Sequence, residues 1–352
     1  MLRSGLANGA KLSLRNFSKM SIPTTQKVIL IDGKSDSYDV IKYQDVPVPK
    51  IDENDILVKN KYAGVNFIET YFRKGYYPCE VPYILGREAA GEVVQVGSKV
   101  KNYNVGDKVA YMAGSTFAQY TKKPADNHIM NLGPDGKDEE LKLYGSTFIQ
   151  CLTALSFVDE AYKVVKGDYI LVYAPSGGVG SILCQLISKR GAHVIAVSSS
   201  DEKLQLAKGY GAEFLVNYNK DDILERIMEI TDGKGVHAAF DSIGKDTFEI
   251  DLSALRRKGT LVSYGNASGV VPPLSINRLT PKNLKIVRPS LFGYLTDPEE
   301  WQHYTSVYKQ LIDNNQLKVN ITQTFPLSEY AEVAKLMENK QTTGKICLEI
   351  PQ

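Results

Sequence analysis

The hydrophobic pattern changes period partway along the chain, and the change divides it. Lys27-Val28-Ile29-Leu30-Ile31, Asp55-Ile56-Leu57-Val58-Lys59-Asn60 and Gly91-Glu92-Val93-Val94-Gln95-Val96-Gly97 read as strands, and a fourth runs over 108–111 behind the Gly106-Asp107 turn. Pro47, Pro49, Pro78 and Pro82 punctuate the segments between them. Short strands with closely spaced turn signals predict an irregular β-rich unit or partial barrel over residues 25–140. Near residue 139 the spacing turns helical, predicting helices over 139–144 and 150–162. From Lys166 the two periods alternate. Strands are predicted at 169–173, 193–197, 213–217, 236–241 and 259–264, and helices at 179–190, 201–210, 220–231 and 246–257. Such alternation predicts a parallel sheet covered by helices on both faces. Residues 285–352 return to mixed structure and end in a strand at 346–350.

Composition narrows the function classes. The chain has 352 residues, enough for two domains, with 43% hydrophobic and 23% charged positions. No uninterrupted apolar run reaches the roughly 18 residues of a membrane span. Lysines and arginines exceed acids by 42 − 40 = 2. Residues 1–20 carry Arg3, Lys11, Arg15 and Lys19 and no acid, leaving the rest slightly acidic. A near-neutral body gives no compositional case for nucleic acid as the main partner. The acid-free leader suits mitochondrial import, with Arg15-Asn16-Phe17-Ser18 resembling a processing site and Met20 a second start that would leave a cytoplasmic form. The alternative is a tail with no address. The four cysteines form no C-x-x-C pair, which fits reduced thiols and no cysteine zinc site.

The strongest chemical signal is Ser176-Gly177-Gly178-Val179-Gly180, lying between the apolar strand 169–173 and a helical run. A strand turning through glycines into a helix offers bare N–H groups to a pyrophosphate, aided by the helix dipole. Pro175 stands where the dinucleotide fingerprint has its first glycine; Gly177 and Gly180 keep the second and third positions. The loop alone also fits other α/β turns, and the following βα units are what favour a dinucleotide. The next strand ends in Ser198-Ser199-Ser200, where an NAD site commonly places an acid. Hydroxyls followed by Lys203 suit a 2′-phosphate and favour NADP. Asp201 and Glu202 argue the other way unless they cap the next helix, and Lys203 could equally be a solvated lysine.

Three further segments carry a resemblance. Gly64-Val65-Asn66-Phe67-Ile68-Glu69-Thr70-Tyr71-Phe72-Arg73-Lys74-Gly75-Tyr76-Tyr77-Pro78, Gly86-Arg87-Glu88-Ala89-Ala90-Gly91 and Thr343-Gly344-Lys345 accompany the glycine loop in the right order. Together with 105–110 they resemble the quinone oxidoreductase, or ζ-crystallin, branch of the medium-chain dehydrogenases, over roughly residues 25–352 and closest to its fungal members. The resemblance implies an α/β protein. A chaperonin-10-like, β-rich substrate domain would cover 21–145 and 286–352, and a Rossmann doubly wound nucleotide-binding domain 146–285, after a targeting segment at 1–20. Zinc-dependent relatives carry cysteine and histidine where this chain has Asn66 and Arg87, so the resemblance implies a metal-free site.

It also implies residue roles. Asn66, Tyr71 and Tyr77 would line the nicotinamide and quinone cleft, Asn66 holding an amide group or an ordered water. The tyrosines would supply hydroxyls and flat apolar walls, although most of the chain's 21 tyrosines must be packing or surface residues. Lys203, Tyr218 and Lys340 fall near the family's 2′-phosphate site, with Lys345 in the matching C-terminal motif. Ser242, Gly265 and Asn266 follow predicted strands at the ends where ligands collect, and Phe292 would approach the nicotinamide. Asp241 and His193 read as structural, and Arg256-Arg257-Lys258 as a solvated helix end. The implied activity is reduction of a quinone by NADPH. The alternatives are reduction of activated C=C bonds in enones or alkenals, and binding of AU-rich RNA. A homodimer is expected from the family.

Overall fold

The computed structural model describes residues 22–126 and 128–352. The candidate targeting segment therefore lies outside the described residues. The chain opens with β1 (Thr25–Ile31), β2 (Ile41–Pro47), β3 (Asp55–Gly64), the short helix α1 (Ile68–Arg73), β4 (Tyr83–Ile84), β5 (Glu88–Val96), β6 (Lys108–Met112), β7 (Tyr120–Pro124) and β8 (Ile129–Gly133). Helix α2 (Asp138–Ser156) leads into β9 (Tyr169–Tyr173), α3 (Gly178–Lys189), β10 (His193–Ser198), α4 (Asp201–Gly209), β11 (Phe214–Asn217) and α5 (Ile223–Ile230). Then come β12 (Val236–Asp241), α6 (Phe248–Ala254), β13 (Leu255–Ser263) and β14 (Lys285–Val287). The C-terminal part adds α7 (Leu291–Tyr294), α8 (Pro298–Asp313), β15 (Ile321–Pro326), α9 (Tyr330–Glu338) and β16 (Lys345–Glu349).

Among the described residues the strands form three sheets. One is parallel and six-stranded, in the order β11-β10-β9-β12-β13-β14. Its chain order reverses between β9 and β12, the switch point at which doubly wound sheets place a ligand. Consecutive residues of β9 explain the two helical layers. Ile170 and Val172 pack with Leu183 and Ile187 of α3, whereas Leu171 and Tyr173 pack with Ile227 of α5 and Phe248 of α6. A strand buried on both faces needs the continuous apolar run that its sequence has. The seven-stranded sheet carries β15-β16-β3-β5-β6-β8, with β7 on the other side of β3. Its C-terminal strand β16 pairs antiparallel with β3, Cys347 opposite Gly64. β1, β2 and β4 make the small third sheet.

Two expectations from the hydrophobic pattern are corrected. The helices anticipated at 139–144 and 150–162 are one helix through Ser156 that continues as a wider turn over Phe157–Ala161. Gly145 lies in the expected gap and marks a close crossing over β5, where an added Cβ would overlap the Ala90 Cβ and lie 2.6 Å from its N. The helix ending after 257 instead stops at Ala254, and Leu255 turns directly into β13. Arg256-Arg257-Lys258 therefore opens a strand, Leu255 pairing with Val236 of β12, and is no helix end. The span 138–161 is long and apolar enough to cross a membrane by length and composition, but 83% of its apolar window is buried within the protein.

Helix propensity alone would favour Gly145→Ala by about 1 kcal/mol. The crossing reverses that sign. The substitution should destabilise the protein by roughly 1–3 kcal/mol, read as a lower urea midpoint, and an unchanged or raised midpoint would refute the tight crossing.

Candidate active site

The phosphate loop is built at the end of β9. Its left-handed corner falls on Ala174, at φ 48°, one residue before Pro175. The proline therefore does not prevent the turn, because its neighbour takes the strained conformation. Gly177 N–H closes the corner on the Ala174 carbonyl at 3.0 Å. A Cβ on Gly180 would lie 2.8 Å from the Ala174 carbonyl carbon, so only glycine lets α3 approach the strand this closely. Gly177 is more open, its added Cβ coming no nearer than 3.3 Å. The first N–H groups of α3, at Gly178, Val179 and Gly180, have no intrahelical acceptor and face whatever binds there. Ser176 accepts a hydrogen bond from Gly344 N–H at 2.8 Å, and Gly177 and Gly344 form a β-bridge. The loop is thereby tied to the Thr343-Gly344-Lys345 segment.

A second cluster lies beyond β10. Ser198 ends that strand, Ser199 follows, and Ser200 caps α4 by accepting from Lys203 N–H. The Lys203 ammonium donates to the Lys340 carbonyl. The Lys340 ammonium in turn lies 3.3 Å from the Tyr218 hydroxyl and 5.6 Å above its ring. Burial lowers the Lys203 pKa, and the Lys340 charge lowers it further against the opposing pull of Tyr218. Neither lysine pairs with a carboxylate among the described residues. Asp201 points to Lys220 at 2.5 Å and to the Asn217 amide at 2.7 Å. Two cations and a phenol thus lie together with no acid paired to them among the described residues, a charge balance that suits an anion.

The ends of β12 and β13 supply the next wall. Asp241 is fully buried and accepts from the N–H groups of Ile243 and Gly244 and from the Thr247 hydroxyl, so it shapes the turn that carries Ser242. Gly265 passes so close to Ser242 that a Cβ would lie 2.7 Å from its carbonyl carbon. Asn266 N–H donates to the Tyr71 hydroxyl at 2.7 Å. Tyr71 is buried, and desolvation raises its phenol well above its ordinary pKa, so it stays neutral. Tyr77 packs edge-on against Tyr71, and its hydroxyl accepts from Arg288 at 3.3 Å. The other Arg288 nitrogen donates to the Ser263 carbonyl and hydroxyl and to the Gly265 carbonyl. Arg288 thus joins the tyrosine pair to the end of β13, a role that no local sequence pattern marks. Phe292, on α7, is half exposed and packs edge-on to His128.

Asn66 is held in a third cluster. Its amide nitrogen donates to Glu88 at 2.7 Å and its oxygen accepts from Lys345 at 2.8 Å. Lys345 also binds the same Glu88 oxygen at 2.8 Å, while the other Glu88 oxygen accepts from Ile149 N–H. Glu88 and Lys345 are 0% and 3% exposed. Both polar ends of Asn66 are occupied by protein, and Lys345 is spent on Asn66 and Glu88. Arg87 turns away to stack over Phe72, 4.2 Å from the ring centre, and bonds the Tyr83 hydroxyl. Nearby Glu69 is pushed up to about 7 by burial, against the opposing pull of Arg87 and the Gly86 N–H. The structure therefore brings Lys203, Tyr218 and Lys340 together, Asn66 and Lys345 together, and Tyr71 against Asn266. A hollow of about 490 Å³ lies away from these clusters, beside Lys99 and Asp126.

This arrangement is a two-part nicotinamide-type oxidoreductase, and its relatives say which. The family described as alcohol dehydrogenase GroES-like domain matches residues 52–168, and that described as zinc-binding dehydrogenase matches 178–310. The chain is 42% identical over 304 residues to a probable quinone oxidoreductase of Schizosaccharomyces pombe, covering 86% of this chain and 90% of that protein. It is 33% identical over 318 residues to a 2-haloacrylate reductase of Burkholderia sp, covering 88% and 95%. The solved Escherichia coli quinone oxidoreductase complexed with NADPH superimposes with a TM-score of 0.86 at 34% identity, over 92% of this chain and 99% of that one. The chain belongs to the quinone oxidoreductase family of the medium-chain dehydrogenases.

Removing one member of a buried ion pair costs about 3–5 kcal/mol, whereas replacing both is often near neutral. Lys345→Met should therefore lower stability by about that much, and Lys345→Met combined with Glu88→Gln should recover most of it. Urea denaturation of the three proteins checks this, and a loss below about 1 kcal/mol for Lys345→Met would show the pair to be energetically idle.

Proposed function

We propose that the protein is an NADPH-dependent quinone reductase that passes reducing equivalents from NADPH to a quinone. The single observation that carries the cofactor choice is the Lys203–Tyr218–Lys340 cluster beside Ser198 and Ser199, with Asp201 turned away. The residues present fit this dinucleotide. The glycine cradle admits a pyrophosphate to the N–H groups of α3, and the two lysines match a 2′-phosphate. When bound, NADPH supplies a hydride from its nicotinamide ring.

The chain's own residues bind and orient. Gly177 and the first turn of α3 would hold the phosphates, and Lys203 and Lys340 would hold the 2′-phosphate by charge-assisted bonds. Tyr71 is fixed by Asn266 N–H through its oxygen, so its own proton is free to be donated to an acceptor oxygen. Arg288 fixes Tyr77 in the same way. A quinone accepts reducing equivalents readily, so positioning is the main task left to the protein.

Lys203→Ala and Lys340→Ala should each raise KM for NADPH roughly 10-fold while leaving NADH turnover nearly unchanged. Wild-type protein should oxidise NADPH with an ortho-quinone far faster than NADH, and equal turnover with both would defeat the cofactor assignment. Resemblance to the 2-haloacrylate reductase favours a second reading, reduction of activated C=C bonds. Assaying a quinone and an alkenal side by side decides between them.

The site is read as zinc-independent because the Lys345 ammonium already fills the neighbourhood of Glu88 and Asn66 with positive charge. Full activity after chelation and dialysis is the expected result. The resemblance also supports a homodimer and AU-rich RNA binding, and the acid-free residues 1–20 support mitochondrial import beside a cytoplasmic form. Sizing chromatography, RNA gel shifts with NADPH as competitor, and localisation of the tagged chain test these in turn.

A further inference from the structure

One polar side chain beside the phosphate loop has no partner. Gln150 lies on α2 with 3% of its surface exposed, and its Oε1 is buried without a hydrogen bond. Its Nε2 donates to no described residue either. The amide is aimed at the first turn of α3, where a Cβ added to Gly178 would land on Oε1. One residue earlier, Ile149 N–H binds Glu88, which holds Asn66 and Lys345. Gln150 therefore stands between the phosphate loop and the Asn66 cluster.

Buried amides are almost always paired, because an unmade bond leaves the desolvation cost uncompensated. A leucine or methionine would fill this volume without that cost. The unpaired N–H groups of α3 lie in the same turn and await the same ligand. We propose that Gln150 is a cofactor-binding residue whose amide oxygen accepts a hydrogen bond from a ribose hydroxyl on the nicotinamide half of the dinucleotide. This rests on the NADPH reading above. Loading the cofactor supplies a donor to the oxygen that the free protein leaves unmatched.

The experiment uses the cofactor-free protein and two variants, Gln150→Met, which keeps the shape and loses the acceptor, and Gln150→Glu, which keeps an acceptor but adds a charge facing phosphate. Dissociation constants are measured for NADPH and for adenosine 2′,5′-bisphosphate, which carries the 2′-phosphate and no nicotinamide, together with Tm. For Gln150→Met, NADPH should bind roughly 5- to 30-fold more weakly, with bisphosphate affinity unchanged and Tm equal or higher. Gln150→Glu should also bind NADPH more weakly, because its charge faces the pyrophosphate. An NADPH affinity within about twofold of wild type overturns the proposal. So does an equal loss for both ligands, or a fall in Tm without a fall in affinity, which would make Gln150 a packing residue. Failure of the wild type to bind NADPH at all would instead remove the cofactor reading itself.

Discussion

The buried ion pair between Lys345 and Glu88 is the constraint on which the rest of the site depends. Neither charge reaches solvent, so each is tolerable only while the other is present and the remaining oxygens are hydrogen-bonded. Asn66 and Ile149 N–H complete that set. The pair thus pins together three chain segments: the end of β3, the start of β5 and the start of β16. α2 is held on top of them. Because Gly344 precedes Lys345 and bridges Gly177, the same anchor also fixes the phosphate loop against the β-rich half.

Placement of the reactive half of the site follows from that anchor. Tyr71 and Tyr77 follow β3 through α1 and are hydrogen-bonded to Asn266 and Arg288, beyond the ends of β13 and β14. Each tyrosine hydroxyl is held by a donor from the nucleotide-binding side, so the two halves share the wall between them. Neither half contains a complete site. Rigid positioning of flat apolar rings beside a cofactor cradle suits an acceptor that needs orientation more than activation.

Much of this was legible in the chain and some was not. The βα alternation after Lys166 is a local signal, and the parallel sheet appears where its period indicates. The break expected between 144 and 150 is absent because α2 passes over β5 at Gly145 without interruption, a contact that no local pattern shows. Arg256-Arg257-Lys258 misled because α6 passes into β13 without a loop. Lys203 followed from the serines after β10, whereas Tyr218 and Lys340 came from resemblance to a family, since nothing in their spacing announces that the three meet. Glu88 and Lys345 are 257 residues apart in sequence, and Arg288 and Tyr77 are 211 apart. Such pairings belong to tertiary structure, and periodicity carries no information about them.

The place of β16 has a consequence for how the protein is made. This strand lies inside the seven-stranded sheet, between the edge strand β15 and β3, yet it follows every other strand in sequence. On a ribosome the N-terminal strands emerge first; β7 covers Asp55–Lys59 of β3 early, and Tyr62–Gly64 lack a neighbour on that edge until residues 345–349 emerge. The parallel sheet, whose strands run from residue 169 to 287, is complete much sooner. The β-rich half is therefore closed only after every strand of the parallel sheet has been synthesised. An open strand edge is meanwhile exposed to other chains, which makes this the stage at which a chaperone has most to protect.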